Sequence, residues 1–476
     1  MRAQEIFFIF FLISLITAKA TDVDPISQKV LPKPKNYTYG TENFVITDPC
    51  IIQYKPLGQK IPSQVYEIID FYKTKIFQQQ QSCQQQKRKL LTKIDTIQQQ
   101  KQQHQQQQII FEINIKDTNI TTSKSKEDEK YTLKLVNSTY WSLDADKYVG
   151  FLRGIETYSQ LIEKNQTSGQ FFIQNLPIQI DDMPDYFYRG LMIDTSRHFF
   201  SVKSILDTID SMLYNKLNFL HWHITDADSF PFPLKSFPNI TTFGSLSSYQ
   251  QYTFDDVQKI ITYGILKGVQ IIPEIDSPGH TLSWGKSQQF QNITLNCGGY
   301  QGQLDPSLDQ TYEALKGILE DMKDQFSNSD FVHFGGDEVD EQCWDQRVTI
   351  KQFMEQKKIS TYSQLQDYYR FEQKKLWRNI SKKPVIYWAN DNINVQEDDI
   401  IQWWGYSNSI ANILKGKKIR LYCLIMINFI QMWVMVIVTE EVMEQCIIGM
   451  LYIHLILKLK GLKIKYQELQ VVFGAK

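Results

Sequence analysis

The most constraining feature of the sequence is an alternation of short apolar runs with amphipathic segments, which begins after Tyr186. Each apolar run ends on polar or tryptophan residues, as strands do when they deliver side chains to one edge of a sheet. Repeated β-loop-α units predict an α/β protein with a parallel sheet, and six such strands favour a (β/α)8 TIM-type barrel over a doubly wound sheet. The six runs are residues 190–193, 217–222, 269–275, 331–334, 384–388 and 400–403.

The region before this alternation, residues 21–185, has mixed short strands and one amphipathic helix, so we expect a small α+β domain there. Residues 78–108 are nearly a glutamine tract. Such a tract has little apolar surface to offset the entropy of ordering, which predicts a mobile insertion. The polar, turn-forming sequence Asp181–Asp185 predicts the boundary with a barrel domain at residues 186–420.

Residues 1–20 have the three parts of a secretory signal peptide: Arg2, the apolar run Ile6–Ile16, and the small residues Ala18 and Ala20 for cleavage. A membrane anchor is the weaker alternative because the apolar run is too short to span a bilayer comfortably. We therefore expect a secretory route. Seven Asn-x-Ser/Thr sequons agree with it, at Asn36, Asn119, Asn137, Asn165, Asn239, Asn292 and Asn379.

An oxidising compartment makes the six cysteines disulfide candidates rather than metal ligands. No C-x-x-C or H-E-x-x-H spacing indicates a metal site, and we expect no cofactor. The net charge of −1 gives no basis for a nucleic-acid partner. The cysteines are Cys50, Cys83, Cys297, Cys343, Cys423 and Cys446.

The segment Phe331–Asp340 joins an apolar run to two glycines and then to two adjacent carboxylates, Asp337 and Glu338. Side chains alternate along a strand, so both acids reach one site only where the backbone leaves strand geometry, which glycines permit. Two acids in a water-poor site have different pKa values, and glycoside hydrolysis needs one protonated and one ionised carboxyl. The alternative is that Asp337 caps a helix that begins near Val339.

Other strands carry polar residues at or near one end. Arg189 could fork two hydrogen bonds onto sugar hydroxyls, and Asp226 with His280 could tune the pKa of an acid. Each has a structural alternative: Arg189 as a surface ion pair, Asp226 as a loop cap and His280 as a satisfied turn residue.

Four ordered motifs together resemble lysosomal β-N-acetylhexosaminidases of glycoside hydrolase family 20. The resemblance covers roughly residues 37–404, weakly in the first domain and strongly from Arg189. It implies a small α+β domain followed by a (β/α)8 barrel, a secreted or lysosomal protein, glycan substrates and a possible homo- or heterodimer. The motifs are residues 189–198, 221–226, 274–284 and 333–340.

The resemblance implies an exo-acting enzyme that removes terminal GlcNAc or GalNAc by substrate-assisted retaining hydrolysis. Glu338 is then the general acid and base, and Asp337 orients the acetamido group of the substrate. Arg189 is implied as the clamp on the ring hydroxyls, and Asp226 and His280 as groups that tune the acid. Trp388 and Trp404 match walls of the acetamido site, with ordinary core tryptophans as the alternative. The implied disulfides are Cys297–Cys343, and Cys50–Cys83 in the first domain.

The alternation fails after about residue 420, because residues 421–438 and 446–457 are rich in isoleucine and methionine. Three interpretations remain open for residues 421–476: a membrane span, divergent last barrel strands, or a shifted reading frame, which we favour because polar residues that could bear function vanish abruptly. The family's Tyr, Asp and Trp-Gly-Glu are not identifiable after Trp404. The alternative function is therefore a catalytically impaired glycan-binding or truncated product with an incomplete barrel.

Overall fold

The computed structural model describes residues 24–58, 60–77, 108–298, 302–389 and 399–403, together with the backbone of residues 420–429 and 432–438. The chain divides into two compact units, Met1–Asp185 and Tyr186–Lys476. The predicted signal peptide and most of the glutamine-rich segment lie outside the described residues.

The first unit contains a mixed sheet in the order β1-β7-β4-β5-β3-β2, with β6 beside β7. Helix α3 (Tyr148–Leu161) is almost wholly buried and packs on β4 and β5, because apolar residues occupy most of its positions. The other helices are α1 (Pro25–Lys29) and α2 (Ser63–Phe77). The strands are β1 (Asn36–Ile46), β2 (Ile52–Leu57), β3 (Ile109–Asp117), β4 (Tyr131–Leu135), β5 (Tyr140–Lys147), β6 (Glu163–Lys164) and β7 (Phe171–Asp182).

The second unit is organised around a curled sheet whose neighbours run in the order β10-β13-β14-β15-β16-β17-β8-β9. All pairs are parallel except those of β17, which is antiparallel to both β16 and β8. The strands are β8 (Arg189–Asp194), β9 (Phe219–Thr225), β10 (Gln270–Ile275), β13 (Val332–His333), β14 (Val385–Ala389), β15 (Ile400–Trp403), β16 (Arg420–Phe429) and β17 (Met432–Val438).

Helices of the second unit follow several of these strands, as β-loop-α units require. Residues of β9 and β10 are buried on both faces, which explains why their sequences are largely apolar rather than alternating. A short separate pair is formed by β11 (Thr294–Leu295) and β12 (Gln303–Leu304). The helices are α4 (Val202–Tyr214), α5 (Pro238–Gly244), α6 (Phe254–Leu266), α7 (Asp309–Gln325), α8 (Glu341–Asp345), α9 (Val348–Lys357) and α10 (Tyr362–Ile380).

The end of the sheet departs from an all-parallel (β/α)8 barrel at β17. Strands β16 and β17 are adjacent and antiparallel, whereas a barrel of β-loop-α units has parallel neighbours. The described part of residues 421–438 is therefore strand rather than helix. Among the described residues, no helix combines the length and apolarity needed to cross a membrane.

Candidate active site

The two acids lie on a sharp turn directly after β13. Gly335 and Gly336 have φ angles of +66° and +95°, and Glu338 itself has a φ of +50°. This departure from strand geometry brings consecutive side chains together: oxygens of Asp337 and Glu338 and a nitrogen of His280 all lie within 4.8 Å of one another. The alternative that Asp337 caps a helix is wrong, because the N-cap of α8 is Asp340.

His280 connects the acids to the interior of the sheet. Its Nε2 lies 3.3 Å from Oε2 of Glu338 and 3.9 Å from Oδ1 of Asp337, and its Nδ1 lies 3.2 Å from Oδ1 of Asp226. Burial favours the neutral ring, but the carboxylates of Asp276, Asp226 and Glu338 outweigh burial and raise the pKa of His280 well above its usual value. A protonated His280 can therefore bridge Asp226 and Glu338.

Asp337 is the more enclosed acid, with a side chain 13% exposed against 44% for Glu338. Burial raises the pKa of Asp337 to about 6; the charge of His280 opposes this shift, and the charges of Glu274 and Glu338 add to it. Oδ1 of Asp337 is buried and has no hydrogen-bond partner within the described part of the chain. A carboxylate oxygen in this state can accept a hydrogen bond from an N–H group.

Glu274 on β10 forms the centre of a buried cluster beneath the acids. His221 and His223 occupy alternate positions on β9, so both face this carboxylate, with nitrogens 2.6 and 2.8 Å from its Oε2. Nδ1 of His333 lies 3.1 Å from Oε1, and the indole N–H of Trp388 donates to Oε1 at 2.6 Å. Burial opposes ionisation, but the three histidines lower the pKa of Glu274 well below its usual value.

His223 connects the cluster around Glu274 to Asp226, which in turn contacts His280 beside the two acids. Nε2 of His223 lies 3.0 Å from Oδ2 of Asp226. Burial disfavours the charged form of His223, but Glu274, Asp194 and Asp226 outweigh burial and raise its pKa. His221 behaves differently, because burial lowers its pKa to about 4. Charged groups therefore alternate in sign from Glu274 through His223, Asp226 and His280.

Arg197 is a site residue that the sequence interpretation missed. Oδ1 of Asp194, the last residue of β8, accepts hydrogen bonds from the backbone N–H groups of Ser196 and Arg197, both at 3.0 Å, and this turn directs the arginine. Nη1 of Arg197 lies 2.8 Å from Asp194 and 2.7 Å from Asp226, and Nη2 lies 3.5 Å from His280. The position after a strand's carboxyl end was an available signal, because barrel enzymes carry their sites there.

The prediction that Arg189 clamps a sugar ring is wrong. Arg189 begins β8, and its guanidinium donates to backbone carbonyl oxygens: Lys216 at 3.0 and 2.9 Å, Tyr186 at 2.7 Å and Phe187 at 3.2 Å. The site lies after the other end of this strand, about 17 Å away at about 3.3 Å per residue. Arg189 therefore fixes loops at the opposite edge of the sheet.

The tryptophan predictions have different outcomes. Trp388 is 6% exposed, and its ring centroid lies 5.6 Å from that of His221 and 4.8 Å from that of His333. It thus packs inside the sheet on the histidines around Glu274, and its role as a wall of an acetamido site stays a prediction. Trp404 lies outside the described residues.

The disulfide implied for the barrel is present. Cys297 and Cys343 are bonded, with Cα atoms 5.3 Å apart, and the bond joins the loop after β11 to α8, which follows the acids. Cys50 is also disulfide-bonded. Cys83 lies outside the described residues, so the Cys50–Cys83 pairing stays a prediction.

The same histidines and acids form four groups, within the described ranges, whose atoms are close enough for a metal ion. Their members already pair with one another, for example His221 with Glu274 at 2.6 Å and His280 with Asp226 at 3.2 Å. Hydrogen bonds among these side chains therefore already occupy several of the candidate ligand atoms.

Comparison with known protein families shows which class of enzyme carries this site. Residues 186–428 match the family model for the glycosyl hydrolase family 20 catalytic domain, and residues 30–161 match the one described as beta-acetyl hexosaminidase like. The chain belongs to glycosyl hydrolase family 20. Its sequence is 40% identical over 289 residues to the beta-hexosaminidase subunit beta of Felis catus, an alignment that covers 58% of this chain and 52% of that protein.

Other family 20 proteins are similar to this chain in sequence or in structure. The human beta-hexosaminidase subunit beta is 38% identical over 286 residues, which covers 58% of this chain and 50% of the human protein. The chain thus spans about half the length of the curated relatives it matches. The X-ray structure of Flavobacterium johnsoniae chitobiase superposes with a TM-score of 0.66 at 23% identity, covering 84% of this chain and 59% of that one.

A family 20 exo beta-N-acetylglucosaminidase from Vibrio harveyi, solved in complex with N-acetylglucosamine, gives a TM-score of 0.64 at 22% identity. The superposition covers 83% of this chain and 60% of the Vibrio harveyi chain. At these identities the structural likeness shows the fold, which is the α/β TIM-barrel type that the sequence alternation predicts.

Proposed function

We propose that this chain is an exo-acting β-N-acetylhexosaminidase that removes terminal N-acetylglucosamine or N-acetylgalactosamine from glycans. The observation that carries the proposal is the convergence of Asp337 and Glu338 on Nε2 of His280, at 3.9 and 3.3 Å. Membership of glycosyl hydrolase family 20 supports glycoside hydrolysis, and relatives named beta-hexosaminidase subunits support an amino sugar as substrate.

In the proposed reaction the substrate supplies the nucleophile. Glu338 donates a proton to the glycosidic oxygen, while the carbonyl oxygen of the 2-acetamido group attacks the anomeric carbon and the bond to the leaving group breaks. Asp337 accepts the acetamido N–H and, when ionised, stabilises the positive charge of the oxazolinium ring. Glu338 then takes a proton from the water that opens this ring, so the configuration is retained. General acid-base catalysis of this kind contributes about 10²–10⁴-fold.

Arg197 replaces Arg189 as the candidate contact to the sugar. Its side chain is 30% exposed at the carboxyl end of the sheet, and its guanidinium pairs with Asp194 and Asp226 on one side. A guanidinium has five N–H donors, which leaves donors for ring hydroxyls. Burial opposes ionisation of Asp226, but His223 and His280 lower its pKa. Asp226 in turn adds to the effect of Asp276 in raising the pKa of His280, which lies beside Glu338.

The second candidate function is a glycan-binding product with impaired catalysis. The antiparallel strand β17 favours it, because a strand inserted with the opposite direction presents different residues at the site end of the sheet. The two candidates share the six parallel strands β8, β9, β10, β13, β14 and β15, and they differ in whether the rest of the site permits turnover.

An assay of the chain with a chromogenic N-acetylglucosaminide separates the two candidates. We expect turnover that Glu338→Gln abolishes, because the amide cannot donate the proton. Turnover no greater than that of the Glu338→Gln variant, with N-acetylglucosamine still bound in calorimetry, would support the binding product instead.

Two accompanying proposals concern assembly and location. Relatives named as alpha and beta subunits support a homo- or heterodimer, which sedimentation velocity tests directly. A secreted or lysosomal location is supported by the signal-like residues 1–20, and all seven sequon asparagines are exposed to solvent. Glycosidase treatment of the expressed protein should lower its mass if those asparagines carry glycans.

A further inference from the structure

Two side chains of α10 hold one carbonyl group of the turn that carries the acids. Nε2 of Gln366 and Nη2 of Arg370 each donate to the carbonyl oxygen of Gly336, both at 2.7 Å. The two residues are four positions apart, so they lie on the same face of the helix. The carbonyl belongs to the peptide unit that leads directly into Asp337.

The other polar groups of the two glycines are also paired. The N–H of Gly336 donates to Oδ1 of Asp276 at 2.8 Å, and the N–H of Gly335 donates to Nδ1 of His333 at 3.0 Å. The N–H of Trp388 donates to the carbonyl of Gly335 at 3.0 Å. Asp276 follows β10 and Trp388 lies on β14, whereas His333 belongs to β13 itself, so contacts from three segments hold the turn.

Such fixing is needed because Glu338 has a φ of +50°. A non-glycine residue adopts this region only where its surroundings impose it, and such residues concentrate at functional sites. Release of the turn would let Glu338 relax towards negative φ, which would swing its carboxyl away from His280.

Arg370 differs from Gln366 because it brings a charge. Its guanidinium carbon lies 5.6 Å from the ring centroid of Tyr387, and its Nε is buried with no hydrogen-bond partner in the described part of the chain. Burial lowers the pKa of Arg370, but an arginine stays protonated in proteins. Asp337 is among the groups whose charge favours the protonated guanidinium, so the attraction between the two is mutual.

We infer that Arg370 is a positioning residue for the catalytic pair: its guanidinium fixes the Gly336 carbonyl, and this contact holds Asp337 and Glu338 at one site. The inference rests on the proposed function and deepens it. Gln366 is the neutral residue that donates to the same carbonyl oxygen.

Three variants test this role. Arg370→Met removes the charge and the donors while keeping an unbranched side chain, and Arg370→Lys keeps the charge but loses the planar fork. Lys375→Met is the matched control, because Lys375 lies on the same helix, is 59% exposed and pairs only with Glu372 among the ion pairs of the described residues. We expect Arg370→Met to lower kcat by about 10²-fold with KM little changed, since a small misplacement of catalytic groups costs that much. Arg370→Lys should fall between Arg370→Met and the wild type, and Lys375→Met should match the wild type.

A second measurement does not depend on activity. Hydrogen exchange of the peptide that spans residues 331–340 should become faster in Arg370→Met, and exchange elsewhere in the barrel unit should not change. Unchanged exchange in this peptide together with unchanged kcat would overturn the inference. Faster exchange throughout the unit, with kcat lost only in proportion to folded protein, would also overturn it, because Arg370 would then be merely structural. If the wild type shows no more turnover than Glu338→Gln, the proposed function fails, and the local exchange result alone decides whether Arg370 clamps the turn.

Discussion

Nε2 of His280 lies 3.3 Å from Oε2 of Glu338. The opposite nitrogen of the same ring lies 3.2 Å from Asp226, whose side chain is fully buried and paired with Arg197 at 2.7 Å. One imidazole therefore couples a buried, ionised carboxylate to the proposed general acid. Asp276 and Asp226 both favour protonated His280, and Asp226 is the one that contacts the ring nitrogen opposite Glu338.

The Asp226→Asn substitution should uncouple this network. It preserves the shape of the side chain but removes the charge that favours protonated His280, so the pKa of His280 should fall. We expect kcat to fall by about 10²-fold or more, as when general acid-base catalysis is impaired. Kinetics across pH, with an NMR titration of the His280 ring, check this expectation; an unchanged His280 pKa would contradict it.

The raised pKa of Asp337 predicts how stability changes with pH. The carboxyl titrates at about 6 in the folded protein against 3.8 when unperturbed, so the folded state binds more protons between these values. The free energy of unfolding should therefore fall as pH rises through this window, by at most about 3 kcal/mol. His280 also has a raised pKa, and its contribution is lost at higher pH, as pH rises through its folded value.

Comparison of wild type with Asp337→Asn isolates the Asp337 contribution. Urea unfolding between pH 4 and pH 7 should show a shallower decline in the variant, because the amide does not titrate. An equal decline in both proteins would assign the pH dependence to other groups. In the wild type, kcat/KM should rise with an apparent pKa near 6 that belongs to the acid pair.

Substitution of Arg197 should impair catalysis, whereas substitution of Arg189 should impair stability. Arg197→Met should lower kcat/KM by about 10²-fold or more, because truncating one partner of a buried charge pair costs about 2–5 kcal/mol. Arg189→Met should instead lower the free energy of unfolding by about 2–4 kcal/mol through lost hydrogen bonds, with kcat/KM of the folded enzyme unchanged. Steady-state kinetics and urea unfolding of both variants test this division; the reverse pattern would restore Arg189 to the site.

Gly335 should be the least replaceable residue of the turn. Its φ is +66°, and an added Cβ would collide with the carboxylate of Asp276. Gly169 is a matched control, with a φ of +72° and nothing within 4 Å of an added Cβ. Gly169→Ala should cost only the strain of the left-handed conformation, about 1–2 kcal/mol. Gly335→Ala should abolish turnover, and full activity in that variant would contradict the described turn.

The sequence predicted the strands of the barrel unit well where apolar runs end on polar residues. β10 was expected at residues 269–275 and is Gln270–Ile275, and β15 was expected at residues 400–403 and is Ile400–Trp403. The pairing of Asp337 with Glu338 also followed from local chemistry, because two glycines before two acids permit the required turn.

Features that depend on distant segments could not be predicted. The three histidines around Glu274 come from two other strands, and the donors to Gly336 come from α10, so no local pattern indicates them. The misassigned arginine is different, because the direction of β8 already placed Arg189 at the wrong end. The antiparallel pairing of β17 depends on backbone hydrogen bonds with β16 and β8 rather than on its own composition.

In the proposed mechanism, the acetamido oxygen of the substrate attacks the anomeric carbon. The most direct test is kcat/KM for a chromogenic glucosaminide series whose N-acyl group is acetyl, fluoroacetyl, difluoroacetyl and trifluoroacetyl. Fluorine withdraws electrons from the carbonyl oxygen, so we expect a steep fall in kcat/KM with each added fluorine. Rates independent of fluorine content would contradict it, because they would mean that an enzyme carboxylate or water, rather than the acetamido group, attacks.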